Sequence, residues 1–375
     1  RYALYANTSG ANNAALGYAA LFSNTTASNN TAVGYQAGYT NTDAANLTAI
    51  GYQSLYSSTT GSGGSTAVGR YAGRSNTGGY VQAFGESALY SNTTGNFNTA
   101  VGGSALYSNT TASNNTAVGY QASYSQTTPG QGNTTVGYKA GFSTTTGDSN
   151  VLLGVQAGQA NTTGGANTAV GWNSFTANTT GAFNTAVGYQ ALQANTTANY
   201  NTAVGLQAAY STTTGGYNVA LGRAALYSNT GGALNTAISN DALYSNSSGN
   251  YNIAVGYQSL YSNTSASNNT AVGYQAGYSN TTGTNMAYLG YQAGYSKTTG
   301  FSVTAIGYQA LKANTADNNT AVGTTTLQAN TTGQYNIAVG EAALYTNTTG
   351  SNNTAIGQTA LFSNTTASNN TAVGY

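Results

Sequence analysis

The sequence predicts an all-β fold, a repetitive parallel β-solenoid or β-roll of about 22 coils. A 17-residue repeat runs from one end of the 375-residue chain to the other, and one phase of that repeat is apolar in every copy. The third observation is a composition of 50 glycines with abundant Thr and Asn and no 3.6-residue apolar stripe, which opposes helix. So short a period means supersecondary units that bury their faces only by stacking on their neighbours.

The consensus is Asn-Thr-Ala-Val-Gly-Tyr-Gln-Ala-Leu-Tyr-Ser-Asn-Thr-Thr-Gly-x-Asn, numbered here from its first Asn. Its position-five glycine recurs from Gly17 to Gly374, with Ser239 filling one place. The steps are 17 residues except for 18 to Gly69 and Gly137 and 16 to Gly85 and Gly323. Positions two to four, Thr-Ala-Val, form a short β-branched run that reads as a strand of three to five residues. Position four, apolar throughout, is expected to be the core ladder: Val33, Ile50, Val68, Val101, Val118, Val170, Val187, Val204, Val255, Val272, Ile306 and Val339. Position three is Ala except at Thr135, Leu152 and Tyr288. Two-residue alternation sets position four on one face with Thr at two, opposite Ala at three and glycine at five.

The glycine column, including Gly34, Gly51, Gly102, Gly119, Gly188 and Gly273, has two readings that the sequence leaves open. One is close approach of another backbone, and the other is a corner at positive φ. Positions eight and nine, mostly Ala or Ser and Leu or Gly, read as packed. Positions twelve to seventeen, Asn-Thr-Thr-Gly-x-Asn, carry turn chemistry. No charge falls at positions one to five, eight or nine. Because an unpaired ion is rarely buried, the inside is expected to be Thr-Ala-Val-Gly plus Ala-Leu, with Tyr, Asn and Thr outside. Stacked in register at ~4.8 Å per coil, the array would extend on the order of 105 Å, with identical residues forming ladders.

Two outward columns are candidate sites. Tyr at position six, including Tyr35, Tyr120, Tyr189, Tyr257, Tyr274 and Tyr291, would stack into aromatic ladders able to touch a neighbouring filament or glycans. Asn-x-Ser/Thr sequons recur at position twelve, in Asn24, Asn92, Asn109, Asn178, Asn195, Asn263, Asn280, Asn330, Asn347 and Asn364. They recur again at position seventeen, in Asn29, Asn114, Asn268, Asn352 and Asn369. Both sets are candidate glycosylation sites on exposed corners, although Asn and Thr are equally what turns and ladders require.

Composition excludes much else. Charged residues make up 3% of the chain with net charge +1, so no nucleic-acid footprint or attraction to an acidic membrane is encoded. Cys and His are both 0, which removes the thiolate and imidazole on which most metal sites and nucleophilic triads depend. No apolar run nears the ~18 residues of a membrane span. The sixteen residues from Ala20 to Tyr35 recur identically from Ala360 to Tyr375. One continuous array over 1–375 is therefore expected, either a window on a longer polypeptide or a segment that stacks end to end.

The motifs Asn30-Thr31-Ala32-Val33-Gly34, Asn98-Thr99-Ala100-Val101-Gly102 and Asn184-Thr185-Ala186-Val187-Gly188 resemble the Ser-Val-Ala-Ile-Gly strand motif in the head repeats of trimeric autotransporter adhesins. They are also similar to short repeats in bacteriophage tail-fibre shafts. The resemblance implies a trimer of parallel β-coils, a cell-surface or virion-surface setting and a spacer or adhesive role. The 17-residue period is longer than that of those heads, and no coiled-coil stalk, neck or membrane anchor accompanies it. The expected function is structural: an extracellular filament or fibre shaft that self-assembles as a homo-oligomer, with glycans as a candidate coat. The alternative is a receptor- or glycan-binding adhesin or tail fibre. No enzyme activity and no cofactor are expected.

Overall fold

The structure, a computed structural model, describes every residue except Thr60. It divides into two compact units, Arg1–Val187 and Gly188–Tyr375. Each is a parallel β-solenoid whose coils contribute one strand apiece to a parallel sheet: eleven strands from Ala14–Leu16 to Thr185–Val187 in the first, eleven from Thr202–Val204 to Thr371–Val373 in the second. At ~4.8 Å per strand, each unit stacks on the order of 50 Å of coils.

The expected register holds. Thr31 pairs Thr48, Ala32 pairs Ala49 and Val33 pairs Ile50, and the same phase-on-phase match recurs to Ile356 on Val373. Most strands span three residues. Thr284–Leu289 and Phe301–Ile306 span six, where Met286 and Val303 replace the usual Asn at position one. Leu47 at the same position leaves a three-residue strand, Thr48–Ile50, so an apolar first residue does not by itself lengthen the strand.

Opposite the strand, positions five to eleven form consecutive turns. Positive φ recurs at positions seven and nine, as in Gln36 at 55° and Leu21 at 50°. A left-handed Leu costs ~1–2 kcal/mol. Burying its side chain returns ~1.5–3 kcal/mol, and hydrogen bonds to both neighbouring coils hold the geometry. The amide of Gln53 donates to the Tyr35 carbonyl of the coil before (2.9 Å), while that of Leu55 donates to the Ala72 carbonyl of the coil after (2.9 Å). Backbone pairing thus continues around the coil beyond the strand.

The alternation along the strand is as expected, but the face assignment is reversed. Position three points inward, with Ala32, Ala100, Ala186 and Ala271 fully buried. Position four points outward: Ile50, Val101, Val204, Val272, Ile306 and Val339 are exposed, and Val33, Val68, Val118, Val170, Val187 and Val255 are half-buried. Within each unit these residues do form an in-register column, but it lies outside the core. The physical reason is room. A coil this small already encloses Leu at nine, Ala at eight and two Asn side chains, so only Ala fits from the strand.

The exceptions at position three show this directly. Thr135, Leu152 and Tyr288 each occur in a coil whose ninth residue is glycine: Gly141, Gly158 and Gly294. A Cβ on Gly158 would lie 2.8 Å from Leu152 Cδ2, and one on Gly294 would enter the Tyr288 ring. Position three therefore faces position nine across the interior, and a large third residue occurs only where the ninth is glycine; Gly38 and Gly73 coexist with Ala32 and Ala67, their space being taken by Leu21 and Leu55 of a neighbouring coil.

Candidate functional site

The most specific chemistry lies in columns that run from coil to coil. The position-five column answers both readings of its glycines at once. Gly102 has φ 133°, and a Cβ there would lie 2.5 Å from the carbonyl oxygen of Gly119 in the next coil. Gly34, Gly51, Gly119, Gly188 and Gly273 repeat this geometry. Ser239 occupies the same place at φ 108°.

Asparagine, expected outside, lines the inside. Asn24, Asn92, Asn109, Asn178, Asn195, Asn263, Asn280, Asn330 and Asn347 are fully buried and Asn364 is half-buried, so position twelve does not supply exposed glycan acceptors. Its amides are already committed. Asn263 Nδ2 donates to Asn246 Oδ1 (2.8 Å) and to the Ala266 carbonyl (3.1 Å), and Asn263 Oδ1 accepts from Asn280 Nδ2 (3.1 Å). Position one forms a second buried column. Asn133 Oδ1 accepts from the Asn150 backbone amide (2.9 Å), and Asn133 Nδ2 donates to the Gly147 carbonyl (2.9 Å). A buried amide needs partners, and the repeat supplies identical ones one coil away; where Gln126 and Lys297 interrupt the column, the Asn109 and Asn280 oxygens are left without a hydrogen bond. By contrast, the position-seventeen residues Asn29, Asn114, Asn268, Asn352 and Asn369 are exposed and left-handed, with φ between 57° and 63°.

The two aromatic columns stand on the surface. At position six, Tyr35 stacks on Tyr52 with centroids 5.1 Å apart and 8° between planes, and Tyr257, Tyr274, Tyr291 and Tyr308 form a continuous stack. Tyr120 stacks on Tyr138 at 5.9 Å, and Tyr189 is exposed. At position ten, Tyr210, Tyr227, Tyr244, Tyr261, Tyr278 and Tyr295 stack ring on ring. Burial and the neighbouring phenols raise the Tyr107, Tyr227 and Tyr261 hydroxyls above the ordinary tyrosine range. Between the columns, position-seven glutamines make a ladder of their own: Gln275 Nε2 donates to Gln258 Oε1 (2.9 Å) and Gln292 Nε2 to Gln275 Oε1 (3.0 Å). In the first unit this surface forms a groove lined by Tyr2, Tyr5, Tyr18, Phe22, Gln36 and Tyr39.

Position twelve departs from Asn at Ser58, Gln126, Thr144, Thr212 and Lys297, and only the last brings a charge. Lys297 takes the place of the position-twelve Asn and is buried, against the expectation that charges lie outside. Its Nζ donates to Asp317 Oδ1 (2.6 Å) and to the Thr315 carbonyl (2.7 Å), and the Phe301 amide also donates to Asp317 Oδ1 (3.0 Å). The charge is buried because it is paired. Next to it, Tyr288 is wholly enclosed, and burial first, then the Asp317 charge, keeps its phenol protonated.

Among the described residues, no group of three or more Asp or Glu side chains converges to hold a metal, and no helix is long and apolar enough to cross a membrane. Fold and columns define a repetitive parallel β-solenoid held by side-chain amide ladders. No protein-family model matches the chain, and no curated protein matches it.

The sequence missed the inward Asn columns and the inward Ala. The signal for Ala was present in the pairing of a large third residue with a glycine ninth residue. Nothing comparable marked Asn, whose composition suits turns and ladders equally.

Proposed function

We propose that the chain is a structural element of an extracellular fibre shaft, in which repeat number sets length. The observation that carries this reading is that each coil bonds to its two neighbours through backbone and side-chain amides alike, so coils add without changing the unit. A sparsely charged surface of Thr, Asn and Tyr suits a setting where solubility comes from polar side chains, and the exposed position-seventeen sequons suit a sugar coat there. The role is mechanical and needs neither catalysis nor cofactor. Electron microscopy of the native assembly tests it: straight fibres with a ~4.8 Å layer repeat along their axis support it. Native material found only as isolated globular particles would remove it.

A second reading, binding of surface saccharides, draws on the groove between the Tyr columns. Aromatic walls and a glutamine floor are the groups that stack on and hydrogen-bond to sugars. Retention on a glycan array that disappears in Tyr18→Ala and Tyr39→Ala variants would favour it.

A further inference from the structure

The outward face of the second unit's sheet carries a run of large apolar residues that the fold itself does not require. Across four consecutive coils, Leu206, Tyr217, Leu234, Tyr251, Ile253 and Tyr257 are each 40–60% exposed. They flank the outward column of Val204, Leu221, Ile238 and Val255, and together make a face on the order of 400 Å². Patches of that size on soluble proteins mark contact sites. Arg223 is the single charged residue at these outward strand positions, and the Asp241 carboxylate accepts from its Nη2 at 2.9 and 3.1 Å.

We infer that this face docks laterally on a second copy of the same chain. The inference rests on the shaft reading and names the partner that builds its width. Three features select a second copy. The face is corrugated at the coil repeat, so only another stack with the same ~4.8 Å rise offers grooves that keep step with it over many coils. A globular partner or a saccharide would match one or two ridges. The whole eleven-strand face measures on the order of 1,000 Å², against the ~800 Å² per partner of a standard stable interface. Finally, the four-coil patch, where Arg223 is paired with Asp241, has no net charge and does not repel its own image.

The test uses the full chain. Sedimentation over a broad concentration range is expected to show association in the wild type, and Tyr251→Lys with Ile253→Lys to weaken it by more than tenfold. Thr332→Lys, exposed at position fourteen on a different part of the coil, is expected to leave it unchanged. Circular dichroism and melting should match in all three, because both lysines replace outward side chains. A wild type that stays monomeric at every concentration overturns the docking proposal, as does association indifferent to the two lysines. A monomer whose exposed face instead retains saccharides also overturns it. None of these outcomes touches the shaft reading, which microscopy of native fibres decides separately.

Discussion

A methyl group placed at position five would meet a carbonyl of the next coil, and the same methyl at position four would meet water. Gly102→Ala combines that clash with φ 133°, and it is expected to lower stability by at least ~1–3 kcal/mol. Val101→Thr, one residue away and exposed, should change it by no more than ~0.5 kcal/mol. Thermal unfolding of the two variants side by side checks the contrast, and equal losses would put the outward assignment of position four in error. Asn263 offers a second residue-scale test. Truncation to Ala strands the Asn246 oxygen and an Asn280 amide hydrogen in a dry interior, while the Ala266 carbonyl keeps its bond from Asn252 Nδ2. Each buried group left unmet costs ~1–3 kcal/mol, so Asn263→Ala should cost on the order of 2–4 kcal/mol, whereas Asn268→Gly on the exposed, left-handed corner should cost well under 1 kcal/mol. Denaturant titration distinguishes them.

A single coil behaves as a closed packing problem. Tyr288 fills the interior that Leu at position nine fills elsewhere, and Gly277 and Gly294 make space for its ring. Tyr288→Ala should therefore cost ~3–5 kcal/mol, as buried aromatic truncations do. Adding Gly294→Leu should recover part of that loss, since Leu260 and Leu311 hold the same backbone at φ 48° and 51°. A double-mutant cycle with no coupling between these two sites would contradict the shared cavity. This element also shows what was readable beforehand. Period, strand position, register and alternation follow from chemistry that repeats: β-branched residues at a fixed phase and turn residues between them. The direction each face points does not follow, because it depends on the cross-section of the closed coil. Val is more apolar than Ala, yet a lumen already holding Leu and two amides admits only Ala. Left-handed Gln and Leu at positions seven and nine were illegible for a related reason, since local propensity argues against them and only bonds to the coils above and below impose them.

For the chain as a whole, electrostatics is quiet near neutral pH. Three ion pairs, Arg70–Glu86, Arg223–Asp241 and Lys297–Asp317, occur among the described residues, and the sequence has 0 His and 6 acidic side chains. Melting temperature is expected to vary little with salt. The alkaline side differs. Tyr107, Tyr227 and Tyr261 titrate higher in the fold than in the open chain, because burial and stacked neighbours disfavour the phenolate. Stability from such a group is fully present below the unfolded value near ~10 and is lost as pH climbs through the folded one. Melts followed together with tyrosinate absorbance should be flat across neutral pH and fall above about pH 10. A midpoint that drops instead between pH ~6 and ~8, where only groups of histidine-like pKa titrate, would contradict this account.

The buried amide ladders have a direction. Asn24 donates to Asn7, Asn41 to Asn24, Asn246 to Asn229 and Asn364 to Asn347, always towards the chain start, and the glutamines outside do the same. Backbone amides at positions seven and nine point opposite ways and largely cancel. The position-thirteen hydroxyls and position-one amides donate the other way, as Thr264 does to the Thr281 carbonyl and Asn252 to the Ala266 carbonyl, so the polarity belongs to the position-twelve and glutamine columns, whose aligned bonds polarise one another. Each of these two columns is a row of like-oriented electric dipoles, positive towards its first residue. Its two ends are chemically unlike, so an added coil meets donors at one and acceptors at the other, and two units meeting head to head would set like poles together.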